Sequence, residues 1–487
     1  MSSKVNLTLD NLDTLLTEHY GTDHAKTAAA KTVFLKQLSL RAHKYYGGKM
    51  QTLPRAGVFG FNWFNVWYTP GVSAISTAIR DNNLSSWDLS NRGNYVAVVS
   101  DSTRVLGDGD CTPPGGLGVM EGKSFLMKYL GGIDATAICM NSRNKKGEHD
   151  PDKIIDFVKM IQPSFGAINL EDISQPNCYK VLDTLREECE IPVWHDDAQG
   201  TASVTLAGLI NALKLAEKDI NKVRIVLLGA GAANATIARI IIEAGGDPEK
   251  MAIFDSRGSL NRDREDIKAD KRFYRKWELC LKTDQRKYAS AEEAIKGADV
   301  LIALSKPGPD TVKPEWISGM AKNAIVFACA NPVPEIYPYA AKKAGAFIVA
   351  TGRGDFPNQV NNSVGFPGIL KGALLVRAKK ISDGMAIAAA RALAGFAEKR
   401  GINPDNIIAT MEEPGVFPFE AAEVAIQAVK EGLSSVKITH EEVFRPGEED
   451  IKYSRSITEM MIKNSYIQTP PVDMLQEVFD WTIGNIR

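Results

Sequence analysis

Two pairs of adjacent acidic residues could bind a divalent cation. The first pair is Glu171 and Asp172, and the second is Asp196 and Asp197. Each pair directly follows a short apolar run typical of a strand, and strand ends in α/β proteins open onto a ligand crevice. Carboxylates that converge there repel one another unless a hard cation such as Mg²⁺ or Mn²⁺ binds them. Adjacent acids also cap helices, so it is the presence of both pairs that favours a metal site.

Lys123 is a candidate base. It ends the glycine-rich segment 118–123, directly ahead of an apolar run with helical spacing. A lysine that is desolvated or close to a metal can have its pKa lowered enough to accept a proton in catalysis. An isolated lysine is usually a surface residue, so the segment alone leaves both interpretations open.

A nucleotide-binding turn is indicated further along the chain. A short apolar run ends at Gly229 and Gly231, and the residues from Ala232 onward have helical spacing. The first glycine suits a tight turn and the second lets the backbone approach a pyrophosphate at a helix N-terminus. The third fingerprint position is Asn234, and the acid Asp255 ends the next apolar run. A purely structural glycine turn remains the alternative.

The identity of the nicotinamide nucleotide is open at this stage. Asp255 favours an unphosphorylated ribose, because a carboxylate at the end of the second strand accepts hydrogen bonds from the ribose hydroxyls. Arg257, two residues later, could instead hold a 2′-phosphate. The sequence is therefore compatible with NAD and with NADP.

The pattern of apolar runs and turns around these residues predicts an α/β protein. Further short apolar runs follow the glycine turn, each ended by Gly, Pro, Asn or Ser, at 251–255, 299–304, 324–330 and 346–350. This alternation predicts a Rossmann-type, doubly wound parallel sheet for an NAD(P)-binding domain over 200–375. Residues 1–199 predict a discontinuous α/β first domain that carries the substrate and catalytic residues, closed by C-terminal helices within 376–487. The charged stretch 257–287 is interpreted as a solvated insertion without a function.

Composition excludes several classes of protein. The chain has 487 residues, a net charge of −1 and 44% hydrophobic residues, so it is neither disordered nor suited to a nucleic acid or a polybasic membrane contact. Residues 1–20 lack the pattern of a signal peptide, and no apolar run reaches the length of about 20 residues that a spanning helix needs. The six cysteines form no C-x-x-C pair, which argues against a zinc site and a disulfide framework. We expect a cytoplasmic protein that acts on a small molecule.

Taken together, the motifs resemble the malic enzyme family, in particular its compact bacterial and archaeal form. The resemblance extends over residues 68–372. The matching segments are Tyr-Thr-Pro-Gly-Val at 68–72, Leu-Gly-Asp-Gly-Asp at 106–110, Glu-Gly-Lys at 121–123, Leu-Glu-Asp at 170–172, His-Asp-Asp-Ala-Gln-Gly-Thr at 195–201, Asn-Pro at 331–332 and Pro-Asn-Gln-Val-Asn-Asn at 357–362.

The resemblance implies an activity and a set of site residues. The activity is oxidative decarboxylation of L-malate to pyruvate and CO₂ by an NAD(P)-dependent malate dehydrogenase (decarboxylating) that uses NAD or NADP and Mg²⁺ or Mn²⁺. The catalytic residues would be Tyr68 as general acid, Lys123 as general base and the adjacent acid Asp196. The metal ligands would be Glu171, Asp172 and Asp197. The substrate residues would be Arg104, Asn331, Asn361 and Asn362. The cofactor residues would be Gly229, Gly231, Ala232, Asn234, Asp255, Arg257 and Asn331.

Arg104 is a departure from the compact pattern, because it falls where larger eukaryotic-type members place an arginine that grips malate. The resemblance also implies a homo-oligomer, with a dimer expected. The aromatic residues Trp63, Phe64 and Trp67 beside Tyr68 predict internal packing or a subunit contact rather than a cofactor site.

Two alternative functions remain from the sequence. One is a non-redox malate decarboxylase of the malolactic type, which retains its cofactor and releases lactate. The other is a nucleotide-sensing protein without catalysis. The joint presence of Tyr68, Lys123 and the full set of acids argues against a sensor, which would need none of them together.

Overall fold

A computed structural model of the chain describes residues 7–486. Residues 1–6 and 487 belong to the segments that the sequence assigns to the first domain, and they lie outside the described residues. The first six also fall in the segment that the sequence analysis tested for a signal peptide.

The first sheet carries the acidic pairs. Its four strands are parallel and lie in the order β2-β1-β3-β4, with bounds β1 Tyr95–Ser100, β2 Asp134–Cys139, β3 Ala167–Leu170 and β4 Val193–His195. In β1, the apolar run from Val96 to Val99 is fully buried, with alternate residues in different core clusters. Burial on both faces is typical of a parallel sheet covered by helices on each side. The predicted α/β character of the first domain is confirmed.

The second sheet has six strands in the order β10-β9-β8-β5-β6-β7. Their bounds are β5 Ile225–Leu228, β6 Met251–Asp255, β7 Gly258–Ser259, β8 Val300–Ala303, β9 Ile325–Ala328 and β10 Ile348–Thr351. All pairs are parallel except β6 with β7. Strand β5 lies between β6 and β8, so the strand order reverses at β5, where dinucleotides bind in such sheets. The predicted Rossmann-type sheet is confirmed, with one antiparallel edge strand added.

Residues 7–486 contain 21 α-helices besides the strands. Their bounds are α1 Leu12–Tyr20, α2 His24–Tyr46, α3 Phe64–Trp67, α4 Val72–Asp81, α5 Ser86–Leu89, α6 Thr112–Gly115, α7 Leu117–Gly131, α8 Pro151–Ile161, α9 Asn177–Glu188, α10 Thr201–Leu215, α11 Ala232–Glu243, α12 Glu265–Ala269, α13 Tyr274–Lys282, α14 Ala291–Ile295, α15 Pro314–Ser318, α16 Pro338–Lys343, α17 Phe366–Leu375, α18 Asp383–Arg400, α19 Val416–Lys430, α20 His440–Lys463 and α21 Met474–Asn485. Among residues 7–486, none of these helices combines the length and the apolar character that crossing a membrane requires.

Helices α17 and α20 contact segments next to the first sheet. Ser454 of α20 donates a hydrogen bond from Oγ to the carbonyl of Lys128 in α7, 2.8 Å away. Lys371 of α17 donates to Asn94 Oδ1 at 3.0 Å, just ahead of β1. Helix α18 begins after its N-cap Ser382, whose Oγ accepts a hydrogen bond from the backbone N–H of Met385. The domain bounds of 199 and 375 stay a prediction.

The charged stretch 257–287 is more structured than the sequence suggests. It contains β7, α12 and α13, and it buries Leu279, Cys280 and Lys276 of α13. The interpretation as a solvated insertion is therefore wrong for α13, because one face of this helix belongs to the core. Its charged residues pair locally, which allows a stretch of high charge to fold against apolar surface.

The described chain separates into two compact units, one of residues 7–53 with 455–486 and one of residues 54–454. The smaller unit is helical, with α1, α2 and α21 packed around Leu12, Leu16, Phe34 and Val478. All of the strands and all of the predicted site residues belong to the larger unit.

Candidate active site

Parallel pairing brings the two acidic pairs to the same edge of the first sheet. Strands β3 and β4 are neighbours, and Leu170 lies opposite His195. The next residues along each strand are Glu171 and Asp196. Because the carboxyl ends of parallel strands meet at one edge, the pairs leave the sheet side by side, as the sequence predicts.

The three predicted metal ligands converge. Carboxylate oxygens of Glu171, Asp172 and Asp197 all lie within 4.8 Å of one another. Asp172 takes a positive φ of 54°, which an aspartate tolerates, and its backbone N–H donates to Asp197 Oδ2 at 2.7 Å. The second oxygen of Asp172 is buried and has no hydrogen-bond partner in the described chain. This set of oxygen donors fits a hard divalent cation.

Lys123 projects from α7 into the same cluster. Its Nζ lies 3.1 Å from Glu171 Oε1, forms an ion pair with Asp196 and lies 3.4 Å from Asn362 Oδ1. The ring of Phe366 covers the ammonium group, with its centroid 4.6 Å from Nζ. Only 11% of the lysine side chain is exposed. The interpretation of Lys123 as an ordinary surface lysine is therefore wrong.

Asp196 is held rigidly behind Lys123. It begins a single π-helical turn, Asp196–Gly200, that leads directly from β4 into α10. Its Oδ1 accepts a hydrogen bond from Trp194 Nε1 at 3.1 Å, and its other oxygen faces Lys123. A Cβ at Gly200 would collide with Oδ1 of Asp196, so only glycine allows the turn to close around this carboxylate.

The cluster holds four carboxylates and one ammonium group. Burial raises the pKa of Glu171 well above its usual value, and burial together with Asp197 raises the pKa of Asp172 to about 8. Burial would lower the pKa of Lys123, but Asp196 and Glu171 outweigh it and raise that pKa. Excess negative charge at a buried site favours cation binding, since a bound cation compensates the carboxylates.

The glycine turn of the second sheet has the geometry of a nucleotide-binding loop. Gly229 has a φ of 100°, and a Cβ there would collide with the carbonyl oxygen of Leu304. Gly231 faces open space at the start of α11, whose first residue is Ala232. The buried amide of Asn234 donates to the carbonyls of Gly229 and of the residue before it, and so supports the turn from below. The open glycine at a helix N-terminus fits a pyrophosphate.

Asp255 ends β6 beside this turn, as predicted, but it is paired with cations. Arg264 and Lys276, both from the stretch interpreted as a solvated insertion, bind its carboxylate. Arg257 lies nearby with an exposed side chain. The sequence analysis missed Arg264 and Lys276, and the unusual density of basic residues after β6 was the signal for them.

The predicted substrate residues lie around the cluster in different ways. The backbone N–H of Arg104 donates to the carbonyl of Asp172 at 3.0 Å, and its guanidinium is exposed. Asn362 contacts Lys123 directly. Asn361 is occupied within its loop, because its side chain accepts from the backbone of Ser363 and donates to the carbonyl of Gly352.

Asn331 and Tyr68 are both exposed. Asn331 is exposed after β9, and its carbonyl lies so close to Gly107 that a side chain there would collide with it. Tyr68 follows α3 and is 71% exposed. Within residues 7–486 its hydroxyl makes no hydrogen bond, so the single chain does not join Tyr68 to Lys123.

Glu420 is a buried acid that the sequence analysis missed. It lies on α19, is fully buried, and neither of its oxygens has a hydrogen-bond partner among the described residues. Burial and the nearby carboxylate of Asp196 raise its pKa well above the usual value. Its carboxyl packs against Gly368 in the first turn of α17. The signal was its position, because it shares the apolar face of α19 with Phe417 and Val424 at helical spacing.

Comparisons with known proteins agree with this geometry. A family model described as malic enzyme, N-terminal domain, matches residues 61–186, and one described as malic enzyme, NAD binding domain, matches residues 198–429. The bifunctional malic/malolactic enzyme of Bacillus subtilis is 40% identical over 410 residues, which cover 84% of this chain and 97% of that protein.

Two solved structures are similar over most of the chain. The crystal structure of Entamoeba histolytica malic enzyme matches with a TM-score of 0.97 at 62% identity, covering 99% of both chains. The malic enzyme from Pyrococcus horikoshii matches with a TM-score of 0.79 at 43% identity, covering 89% of this chain and 96% of that one. Because the fold, the order of the motifs and the sequence identity all match malic enzymes, the chain belongs to the malic enzyme family.

Proposed function

We propose that this chain catalyses the oxidative decarboxylation of L-malate to pyruvate and CO₂, with NAD or NADP and with Mg²⁺ or Mn²⁺. The observation that carries the proposal is the buried contact of Lys123 with Glu171, next to the other two acids that could bind a cation. A base and a set of oxygen ligands in one place are what removal of a proton from a metal-bound hydroxyl requires.

Lys123 is the general base for the C2 hydroxyl of malate. Asp196 holds its Nζ in place, and the ring of Phe366 excludes water from one side. When bound, a divalent cation at Glu171, Asp172 and Asp197 and a nicotinamide nucleotide at the glycine turn supply a Lewis acid and a hydride acceptor. The charge of such a cation would also offset the acids that raise the pKa of Lys123, which favours its neutral form.

Tyr68 is the general acid that protonates C3 after CO₂ leaves. A phenol can donate this proton, because the enolate that remains after CO₂ leaves takes up one proton at C3 and becomes pyruvate. Arg104, Asn331, Asn361 and Asn362 would bind the substrate carboxylates, since each can donate hydrogen bonds to an anion. Gly229, Gly231, Ala232 and Asn234 would form the pyrophosphate site.

Kinetics of single variants test the two proton-transfer residues. We expect Lys123→Ala and Tyr68→Phe to lower kcat about 10²- to 10⁴-fold, the usual contribution of a positioned acid or base. Lys128→Ala, on the same helix but partly exposed, is the control and should keep wild-type turnover. Near wild-type kcat in Lys123→Ala would refute its role as base, and the same result for Tyr68→Phe would refute its role as acid.

The metal site is tested by titration. Asp197→Ala should abolish Mn²⁺-dependent activity and weaken Mn²⁺ binding measured by calorimetry, while nucleotide binding stays close to wild type. The reason is that Asp197 offers one of three converging oxygens and takes no part in the glycine turn. Unchanged Mn²⁺ affinity would remove the metal assignment.

We also propose that the protein is a homodimer that associates through the aromatic segment 59–68. In this segment Phe61 is 89% exposed, and Phe64, Trp67 and Tyr68 are exposed beside it. A contiguous exposed aromatic surface is typical of a protein interface. Light scattering after size exclusion should give a dimer for the wild type and a monomer for Phe61→Ser, whereas Tyr466→Ser, at an equally exposed aromatic residue, should stay dimeric. A monomeric wild type would refute the proposal.

A cytoplasmic location is supported by the cysteines, because all six are free and four of them are buried. Reduced, buried thiols are typical of a reducing compartment. Cell fractionation with an antibody against the chain tests this proposal, and recovery of the protein in a secreted or membrane fraction would contradict it.

The malolactic alternative has one specific observation in its favour, the bifunctional relative from Bacillus subtilis. Product analysis separates the two activities, since oxidative decarboxylation yields pyruvate and accumulates reduced nucleotide, whereas malolactic turnover yields lactate without net reduction. We expect pyruvate and reduced nucleotide in equal amounts. Lactate as the main product would instead establish the malolactic activity.

A further inference from the structure

The hydrogen-bonding capacity of Asp255 is fully used within the chain. Its Oδ1 accepts from the backbone N–H of Arg257 at 2.9 Å and from Nη1 of Arg264 at 2.9 Å. Its Oδ2 accepts from Nη2 of Arg264 at 2.8 Å and from Nζ of Lys276 at 3.0 Å. A carboxylate has about four acceptor sites. The acid that would bind the hydroxyls of an unphosphorylated ribose therefore has no free acceptor, and its side chain is only 12% exposed.

Together with neighbouring charged residues, these contacts make the net charge around Asp255 positive rather than negative. Asp255 and Asp266 face three cations, Arg257, Arg264 and Lys276, so the cluster carries one net positive charge. Burial opposes ionisation, but the hydrogen bonds from Arg264, from the backbone of Arg257 and from Lys276 hold the pKa of Asp255 below its usual range. The carboxylate is ionised and compensated, so it does not repel an anion at this place.

The most accessible cation of the cluster is Arg257, whose guanidinium pairs with the partly exposed Asp266 at 3.2 Å. Arg264 and Lys276 are almost buried against Asp255, whereas the side chain of Arg257 is 72% exposed. Arg257 and the exposed Ser256 directly follow the end of β6, which is the strand beside the glycine turn. In a Rossmann-type sheet this strand end lies next to the 2′ position of the adenosine ribose.

We propose that this chain selects the 2′-phosphorylated nicotinamide nucleotide, NADP, and that Arg257 binds the 2′-phosphate. The inference rests on the proposed nicotinamide-dependent function and specifies its cofactor. A guanidinium group matches the geometry of a phosphate and binds it with charge-assisted hydrogen bonds. NAD would bring two uncharged hydroxyls to a cationic surface whose acids, Asp255 and Asp266, are already paired with basic side chains, so its ribose gains little there.

Calorimetric binding of two adenosine probes tests the inference without catalysis. The probes are adenosine 2′,5′-bisphosphate and adenosine 5′-monophosphate, which differ only in the 2′-phosphate. We expect the wild type to bind the bisphosphate about 10- to 100-fold more tightly, the range that charge-assisted hydrogen bonds provide. In Arg257→Ala the ratio of the two dissociation constants should fall to within about threefold of one. Binding of the monophosphate by this variant shows that its site is folded.

Arg272→Ala is the matched control, because Arg272 lies in the same stretch, is 71% exposed and also pairs with an aspartate. It removes the same charge and should keep the wild-type ratio. A wild-type ratio near one, or a ratio that Arg257→Ala leaves unchanged, would overturn the inference. Malate-dependent reduction of NAD and of NADP is measured in parallel. Turnover with neither nucleotide refutes the proposed function, whereas turnover that favours NAD refutes only the selection of NADP.

Discussion

Replacement of Glu420 by glutamine should change the free energy of unfolding in a manner that depends on pH, so that the variant gains stability relative to wild type as the pH rises. Glu420 is fully buried, makes no hydrogen bond within the described chain and faces the carboxylate of Asp196. Its pKa in the folded state is therefore raised well above the value of about 4.3 expected in the unfolded chain. Between these two pKa values the folded protein binds a proton that the unfolded chain does not, so wild-type stability falls as pH rises.

The size of the effect follows from linkage. One proton bound only by the folded state changes the free energy of unfolding by about 1.4 kcal/mol per pH unit. Glutamine has nearly the same shape and does not titrate. The free energy of unfolding of Glu420→Gln minus that of the wild type should therefore grow as the pH rises from about 5.5 to about 6.5, by up to about 1.4 kcal/mol.

Urea unfolding followed by circular dichroism at pH 5.5, 6.0 and 6.5 measures this difference. Comparison of the two proteins cancels the titration of Glu171, Asp172 and Asp196, which are present in both. Glu431→Gln, at the exposed end of the same helix, is the control and should show no growing difference. A difference between Glu420→Gln and wild type that stays constant with pH, or shrinks, would refute the assignment of a protonated, unpartnered Glu420.

Three further variants test other contacts. Gly229→Ala should weaken nucleotide binding measured by calorimetry at least about tenfold, because a Cβ cannot fit beside Leu304 at a positive φ; binding within a factor of two of wild type would contradict this. Asn211→Leu should lower the free energy of urea unfolding by about 2–4 kcal/mol, since its buried amide donates to two backbone carbonyls that would lose their partner; a change below about 0.5 kcal/mol would show that water replaces the amide. Lys371→Met should cost less than about 1 kcal/mol in the same assay, because its partner Asp450 stays half exposed and hydrated while methionine fills the buried space; a loss above about 3 kcal/mol would mean that the ion pair stabilises the fold.

The strands and the glycine turn could be predicted because their signals are local. The runs 251–255 and 299–304 match β6 and β8, and the turn at Gly229 and Gly231 lies between a strand and a helix as expected. Burial on both faces demands continuous apolar runs in a parallel sheet, so such strands are visible in the sequence itself. The strand β7 was not visible, because two residues at a sheet edge carry no periodic pattern.

The candidate site was only partly predictable. The acids after β3 and β4 could be placed at one edge, since strand ends of a parallel sheet meet there. That Lys123 of α7 reaches between Glu171 and Asp196 depends on how α7 packs, and no local pattern encodes this distance. Tyr68 is the opposite case. The family resemblance assigns it to the catalytic residues, but in the single chain its side chain is exposed.

For this protein, sequence alone determined the type of chemistry, through the identity of the acids, the lysine and the glycines and through their order along strands and helices. Tertiary structure alone decided which charges meet. In the sequence, Asp255 is an acid suited to binding a ribose, but in the fold its carboxylate already accepts hydrogen bonds from Arg264 and Lys276. Glu420 looks like any other glutamate in the sequence, and only its burial in the fold separates its carboxyl group from water. The physical reason is that hydrogen bonding and desolvation act between residues close in space, whereas a sequence pattern reports only on neighbours along the chain.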